Sequence, residues 1–134
     1  MVLILFCSVL IPLLTIIFSR SMRKHPPKNI NGVCGYRTTM SMKNRDTWLF
    51  AHETCGKLWW KVGWAMLAAS IIIVSIAVTL TIMKGNDTIV GLTGVLLCIL
   101  QLVALIATIS PVEKELKRNF NEDGTKKQVF NKKC

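Results

Sequence analysis

The apolar residues fall in three unbroken runs, and the charges lie between them. Residues 2–18, 62–83 and 89–109 contain no Asp, Glu, Lys, Arg or His. A helix needs roughly 20 apolar residues to cross about 30 Å of hydrocarbon, with roughly 17 as the lower limit. All three runs qualify, the first only just, and Pro12 predicts a kink inside it. Lys84, Gly85, Asn86, Asp87 and Thr88 alone separate the second and third runs. So short and turn-rich a link predicts an antiparallel helical hairpin.

Two shorter helical patterns lie outside the runs. The stretch from His25 through Pro26, Pro27, Asn31, Gly32 and Gly35 reads as irregular chain. From about Asn44 the pattern changes: Trp48, Ala51, Cys55, Leu58 and Val62 recur at helical spacing. This predicts an amphipathic helix at the membrane surface that bends or feeds into the second span, with Asp46 as its cap or in its first turn. In the tail, Ser110, Pro111 and Glu113 match a capping box with proline at the first helical position. Val112, Leu116 and Phe120 form its apolar edge, and residues 121–124 end it, leaving a mostly polar end expected to fray. The expectation is one all-α integral membrane domain over residues 1–134. It has three transmembrane helices, a cytoplasmic loop at 20–61 holding the amphipathic helix, and a tail at 110–134 with a short amphipathic helix.

Small and polar residues mark the faces on which spans pack in lipid. In the second span, Ala65, Ala68, Ile72, Ser75 and Thr79, with Ala69 alongside, form one stripe; Gly63, Ser70, Ala77 and Thr81 form a rival. In the third, the stripe is Gly91, Gly94, Cys98, Gln101, Leu105 and Thr108. The first-named stripe is expected to pack the hairpin, with Ser75 and Thr79 around Gly94 and Cys98. Gln101 is the one amide within the runs. It suits an interhelical hydrogen bond of about 1 kcal/mol, with a ligand contact as the alternative.

Composition and charge narrow the class. The 134 residues are 51% hydrophobic, with a formal net charge of +10 and a mean hydropathy of +0.46. Segregation of the two properties argues against a soluble enzyme domain and against direct nucleic-acid binding. Residues 20–61 hold nine basic residues against two acidic ones, and the tail after Ser110 holds seven against four. Lys and Arg stay in the cytoplasm, so the loop and tail are expected inside and the N-terminus outside. The basic flank Arg20, Arg23 and Lys24 follows the first run, so a retained anchor is expected over a cleaved signal peptide. Trp59, Trp60 and Trp64 sit where loop meets span, as an interfacial anchoring belt would.

Other chemistry finds little support. Asn119, Asn121, Asp123 and Gly124 mimic the start of a calcium loop, but Phe130 stands where a bidentate Glu is needed. His52 and Cys55, with Cys34 and His25 upstream, lack a closely spaced second pair for zinc. The cysteines Cys7, Cys34, Cys55, Cys98 and Cys134 give no disulfide framework. No catalytic set, metal site or cofactor is expected.

One segment is more specific: Gly35-Tyr36-Arg37-Thr38-Thr39-Met40-Ser41-Met42-Lys43-Asn44, then Trp48, Ala51, His52 and Gly56. It resembles the signature of the SdpI family of small bacterial membrane proteins. The resemblance extends outward to Asn31, the first span, and Leu116, Phe120 and Gly124 of the tail. It implies a non-enzymatic immunity protein of the bacterial cell membrane. The member that gives the family its name protects a producing cell from its own membrane-active peptide and holds a transcriptional repressor at the membrane. That member has a further membrane region ahead of the shared part, and this chain looks like the short form. The partners implied are the lipid bilayer, a toxin peptide and a cytoplasmic repressor, with a homo-oligomer also compatible.

The candidate ligand or partner residues are Tyr36, Arg37, Thr38, Ser41, Lys43, Asn44, Trp48, His52 and Gln101. Gly35 permits a turn. Arg37 suits bidentate capture of an anion, either a lipid phosphate or a carboxylate such as Glu53. Thr38 and Ser41 suit backbone or phosphate, Trp48 suits the interface, and His52 suits the Arg37 loop or a ligand. Two readings stand side by side: a binding site, whose lipid-phosphate version is the alternative function, and a structural lock of the loop onto the bundle.

Overall fold

The computed structural model describes residues 2–30, 33 and 35–127. Asn31, Gly32, Cys34, Phe130, Cys134 and most of the polar end of the tail lie outside the described residues. The described residues form four helices: α1 (Val2–Lys24), α2 (Arg45–Lys84), α3 (Thr88–Ala107) and α4 (Ile109–Asn119). Helix α1, helix α2 and the combined stretch Thr88–Asn119 are each long and apolar enough to cross a membrane. Helix α1 stops where Pro26 disfavours helix in the residue before it.

The amphipathic segment and the second apolar run are one helix of 40 residues. At 1.5 Å per residue it is about 60 Å long, and the amphipathic segment feeds into the second apolar run without a break in the helix. Asn44 caps it: its side chain accepts from the Thr47 N–H, and the Thr47 hydroxyl accepts from the Asn44 N–H. Asp46 occupies the first turn. Gly85, at φ +63, closes the far end and turns the chain into α3.

The tail helix does not start at Ser110. Helix α4 continues α3 through a single-residue break at Thr108 and makes no side-chain cap. Pro111 lacks an N–H for the Ala107 carbonyl and crowds it, so the break appears one turn upstream of the proline. The capping box is thereby spent inside a helix, with Ser110 exposed.

The apolar halves of α1, α2 and α3 pack through small and hydroxyl residues. Ser8, Pro12, Thr15 and Ser19 are buried on α1; Gly56, Gly63, Ser70 and Ala77, at seven-residue steps, are buried on α2. Gly94, Gln101 and Thr108, at the same step, are buried on α3. A Cβ on Gly63 would lie 2.7 Å from Ile16 Cγ1, and one on Gly56 would lie 2.7 Å from Arg23 Cγ. These glycines let α1 and α2 touch, as small residues do in lipid.

This corrects the expected face of the second span. Ala65, Ala68, Ala69, Ile72, Ser75 and Thr79 are exposed, and the rival face carrying Gly63, Ser70, Ala77 and Thr81 is the buried one. Both stripes carry small residues at the same period. What decides between them is the demand of α1 for glycine and of Gln101 for Ser70.

Gln101 ties all three helices together. Its Nε2 donates to Ser8 O at 2.8 Å on α1 and to Ser70 Oγ at 2.7 Å on α2. The Ser8 carbonyl would ordinarily accept from residue 12, but Pro12 has no N–H. The amide of Gln101 fills that place.

Candidate functional site at the basic end

Above the apolar bundle the polar loop, the first half of α2, α4 and the following turn form a separate basic module with its own core. Tyr36, Met40, Ala51, Cys55, Val112, Leu116 and Phe120 pack together, with Met22, Phe50, Leu58 and Trp59 against them. The Phe50 and Phe120 rings meet edge-on at 5.3 Å. After α4 the chain folds back through Gly124 (φ +87), and Phe120 bridges to Lys126. Asn44 Nδ2 donates to Gly124 O at 2.6 Å, which docks this turn on the start of α2. Lys126 lies 3.9 Å from Asp46 across the same seam.

His52 is the centre of the module. It is fully buried on α2, with its ring 4.3 Å from that of Trp48. Its Nδ1 lies 2.8 Å from the Trp48 carbonyl, and its Nε2 accepts from the Tyr36 N–H at 3.1 Å. A carbonyl can only accept, so the network assigns the proton to Nδ1 of a neutral imidazole. Burial lowers the His52 pKa below its ordinary value, and the bond to the Trp48 carbonyl opposes that in part. Gly35 sits at φ +111 directly on this ring, and a Cβ there would lie 2.0 Å from His52 Nε2.

The loop is laced internally from Tyr36 to Thr47. Ser41 Oγ donates towards the Tyr36 and Thr38 carbonyls, each at 3.1 Å, and accepts from the Thr38 N–H at 2.8 Å. Thr38 Oγ1 accepts from the Ser41 N–H at 3.2 Å, and Thr47 Oγ1 donates to Ser41 O. The Tyr36 hydroxyl donates to Ile109 O at 3.3 Å and towards Glu113 Oε1 at 3.4 Å. Burial and the neighbouring Glu113 push the tyrosine pKa upward. Because Ile109 lies at the end of the third apolar run, Tyr36 holds the loop against that end of the bundle.

The expected residues therefore divide. Tyr36, Thr38, Ser41, Asn44, Trp48 and His52 are brought together, and their polar atoms are used within the fold. Trp48 does not sit at the interface: it is fully buried, and its Nε1 donates to Pro27 O at 3.0 Å. Gln101 is remote from this cluster, inside the bundle, and takes an interhelical role. Arg37 and Lys43 are exposed on the loop. Arg37 makes no ion pair among the described residues, and Glu53 pairs with Lys57 at 2.6 Å.

Several residues of this cluster carry no motif of their own. Trp59 does not act as an anchor alone; its Nε1 donates to Thr108 Oγ1 at 2.9 Å and ties α2 to the α3–α4 break. Pro27, Glu113 and Gly124 contribute through a carbonyl, a carboxylate and a turn. Pro111 was the available signal for Thr108, since its break falls about one turn upstream. Cys55 lies in the core, and burial pushes its thiol up to about 12. Among the described residues no group of three or more His, Cys, Asp or Glu is placed to hold a metal. Asn119, Asn121 and Asp123 bond within α4 and the turn itself.

The model of the SdpI/YfhL protein family matches residues 28–112. The chain belongs to that family. The match covers the loop, α2, α3 and the start of α4, and so takes in His52 and both hairpin helices. Helix α1 and the turn after α4 fall outside it, although Leu116, Phe120 and Gly124 close the module's core and seam. No curated protein and no solved structure matches the chain. Family membership and the three apolar helices point to a multi-pass membrane protein.

Proposed function

We propose that this protein is a non-enzymatic resistance protein of the bacterial cell membrane, protecting the cell from a membrane-active toxin peptide. The family match across the loop and hairpin carries this reading. The basic module faces the cytoplasm and the turn after α2 faces outside, in keeping with the excess of Lys and Arg at one end. The link between α2 and α3 is short, which favours the bilayer itself as the place where a peptide is met. The basic module is then the platform on which a cytoplasmic repressor is held.

The loop geometry supports a recognition role for Arg37. Tyr36, Thr38 and Ser41 fix the backbone beneath it, while the guanidinium stays exposed. A rigid loop loses little freedom on binding, and an arginine fork holds two acceptor oxygens in one plane. Arg37 takes an acidic group of the partner, and Lys43, exposed on the same loop, adds positive charge. Producing the protein in a toxin-sensitive bacterium and challenging it with producer-strain supernatant tests the reading. Survival above the empty-vector control is expected; equal killing at confirmed membrane abundance overturns it.

A further inference from the structure

A second cationic feature lies away from the loop, where α1 leaves the apolar bundle. A cleft of about 480 Å³ opens between the end of α1 and the first half of α2. Arg20, Arg23 and Lys24 line it from α1, and Lys57 and Glu53 from α2, with Trp60 alongside. Its remaining lining, Met22, Pro26 and Leu49, is apolar. Four cations thus meet one carboxylate, and that carboxylate is already paired with Lys57.

The basic-inside bias explains why these charges lie on one side of the bilayer. It does not explain why residues more than thirty positions apart converge on one cavity. Convergence follows from the helix crossing. Gly56 lets α1 approach α2 so closely that the Arg23 stem lies on it. The Arg23 guanidinium carbon then sits 6.0 Å from the Trp60 ring centroid, within range of a cation–π contact. Arg20, Arg23 and Lys24 have no carboxylate within 4.0 Å among the described residues.

Depth decides the occupant. Ile17 and Phe18, just before Arg20, are 61% and 54% exposed, and Trp64, one turn after Trp60, is 50% exposed. These apolar side chains end the lipid-facing surface immediately below the cleft. A ligand seated here has a negative group among the cations and a hydrocarbon part along Ile17, Phe18 and Trp64. Basic pockets between membrane helices at this level suit phospholipid head groups.

We propose that the cleft between α1 and α2 binds the phosphate of an anionic membrane phospholipid, with Arg20, Arg23 and Lys57 as its ligands. The site is distinct from the Arg37 loop and does not depend on the resistance reading. The lipid links the two helices through charges that otherwise repel one another.

The test uses the full chain in mild detergent, titrated with phosphatidylglycerol, phosphatidylcholine and soluble glycerol phosphate at low salt. Bound lipid is read by native mass spectrometry. The wild type should take phosphatidylglycerol about tenfold more tightly than phosphatidylcholine, which offers the same phosphate but adds a choline cation that the four basic side chains of the cleft repel. Arg20→Gln, Arg23→Gln and Lys57→Gln together should reduce the preference to within about twofold. Lys28→Gln, Lys114→Gln and Lys117→Gln together remove the same charge from exposed sites and should leave it intact. Glu53→Gln frees Lys57 at an exposed position and should tighten phosphatidylglycerol about threefold, which keeps the test decisive even if the triple variant misfolds. Equal loss in both triple variants, or no gain from Glu53→Gln, overturns the proposal. Displacement of the lipid by glycerol phosphate at equal concentration overturns the lipid assignment.

Discussion

The two ends of this molecule reach stability by opposite means. The apolar bundle leaves its large residues outside: Ile72, Ile82, Leu100 and Ile106 are all more than half exposed, while Gly63, Ser70 and Gln101 are inside. In lipid an exposed isoleucine loses nothing, so helices associate through close backbone approach and a few hydrogen bonds. The basic module does the reverse. Trp48, Val112 and Leu116 are wholly buried, and Arg37, Lys43 and Lys114 are outside. There the hydrophobic effect drives packing, and each buried polar group needs a partner. Because α2 runs through both regions, one helix follows two packing rules in its two halves.

Five changes separate the halves, in order of expected size. Gly35→Ala forces a side chain onto His52 at a left-handed backbone position. Strain and the orphaned Tyr36 N–H together should cost about 4 kcal/mol. Limited proteolysis should then cut the loop and α4 while the helical circular dichroism of the bundle persists. Simultaneous loss of both would show that the halves are one cooperative unit. Gly63→Leu should cost about 2–3 kcal/mol by driving α1 from α2, read as a lower melting temperature in detergent. An unchanged melting temperature there would contradict the α1–α2 contact.

Gln101→Leu should cost about 1–2 kcal/mol, since it strips the Ser8 carbonyl and the Ser70 hydroxyl of a donor. Ser75→Ala with Thr79→Val, on the exposed face, should stay within about 0.5 kcal/mol. If the Ser75→Ala and Thr79→Val pair cost more than Gln101→Leu, the assigned faces would be wrong.

The fifth change is in pH and touches the basic module alone. The fold holds His52 neutral, so the unfolded chain takes up a proton more readily. Stability from this residue is therefore present above about 6.5, its ordinary value, and is lost as pH falls through the lowered folded value. Opening of the loop, read by hydrogen exchange corrected for the intrinsic pH dependence of the exchange rate, should rise on acidification in the wild type more than in His52→Gln. The titratable neighbours Tyr36, Cys55 and Glu113 remain in place in that variant. Equal rises would assign the acid response elsewhere.

The legibility of the sequence follows the same division. Runs of apolar residues and a five-residue link are enough to show three helices and a hairpin, because hydropathy is a one-dimensional signal. The packing face of α2 was not legible, since Ala65, Ile72 and Thr79 repeat with the same period as Gly63, Ser70 and Ala77. Choosing between them requires knowing that Gly63 meets Ile16 and that Ser70 meets Gln101. In the basic module, the residue types in the motif stood out, and so did the link between His52 and the loop. Their partners did not. Trp48 bonds a proline carbonyl and Asn44 a glycine carbonyl, and backbone acceptors leave no mark on side-chain spacing. Arg37 suited capture of an anion, with Glu53 as one candidate, whereas Glu53 pairs with Lys57, and Ser41 and His52 hold the loop and leave the arginine at the surface.

The most direct measurement is survival of a toxin-sensitive bacterium producing either the wild type or Arg37→Lys at equal membrane abundance. The account predicts protection by the wild type and loss of most of it in the lysine variant, which keeps the charge but not the planar fork. Killing of wild-type cells at the empty-vector rate would contradict the resistance reading. Full protection by Arg37→Lys would remove the exposed loop from the recognition surface.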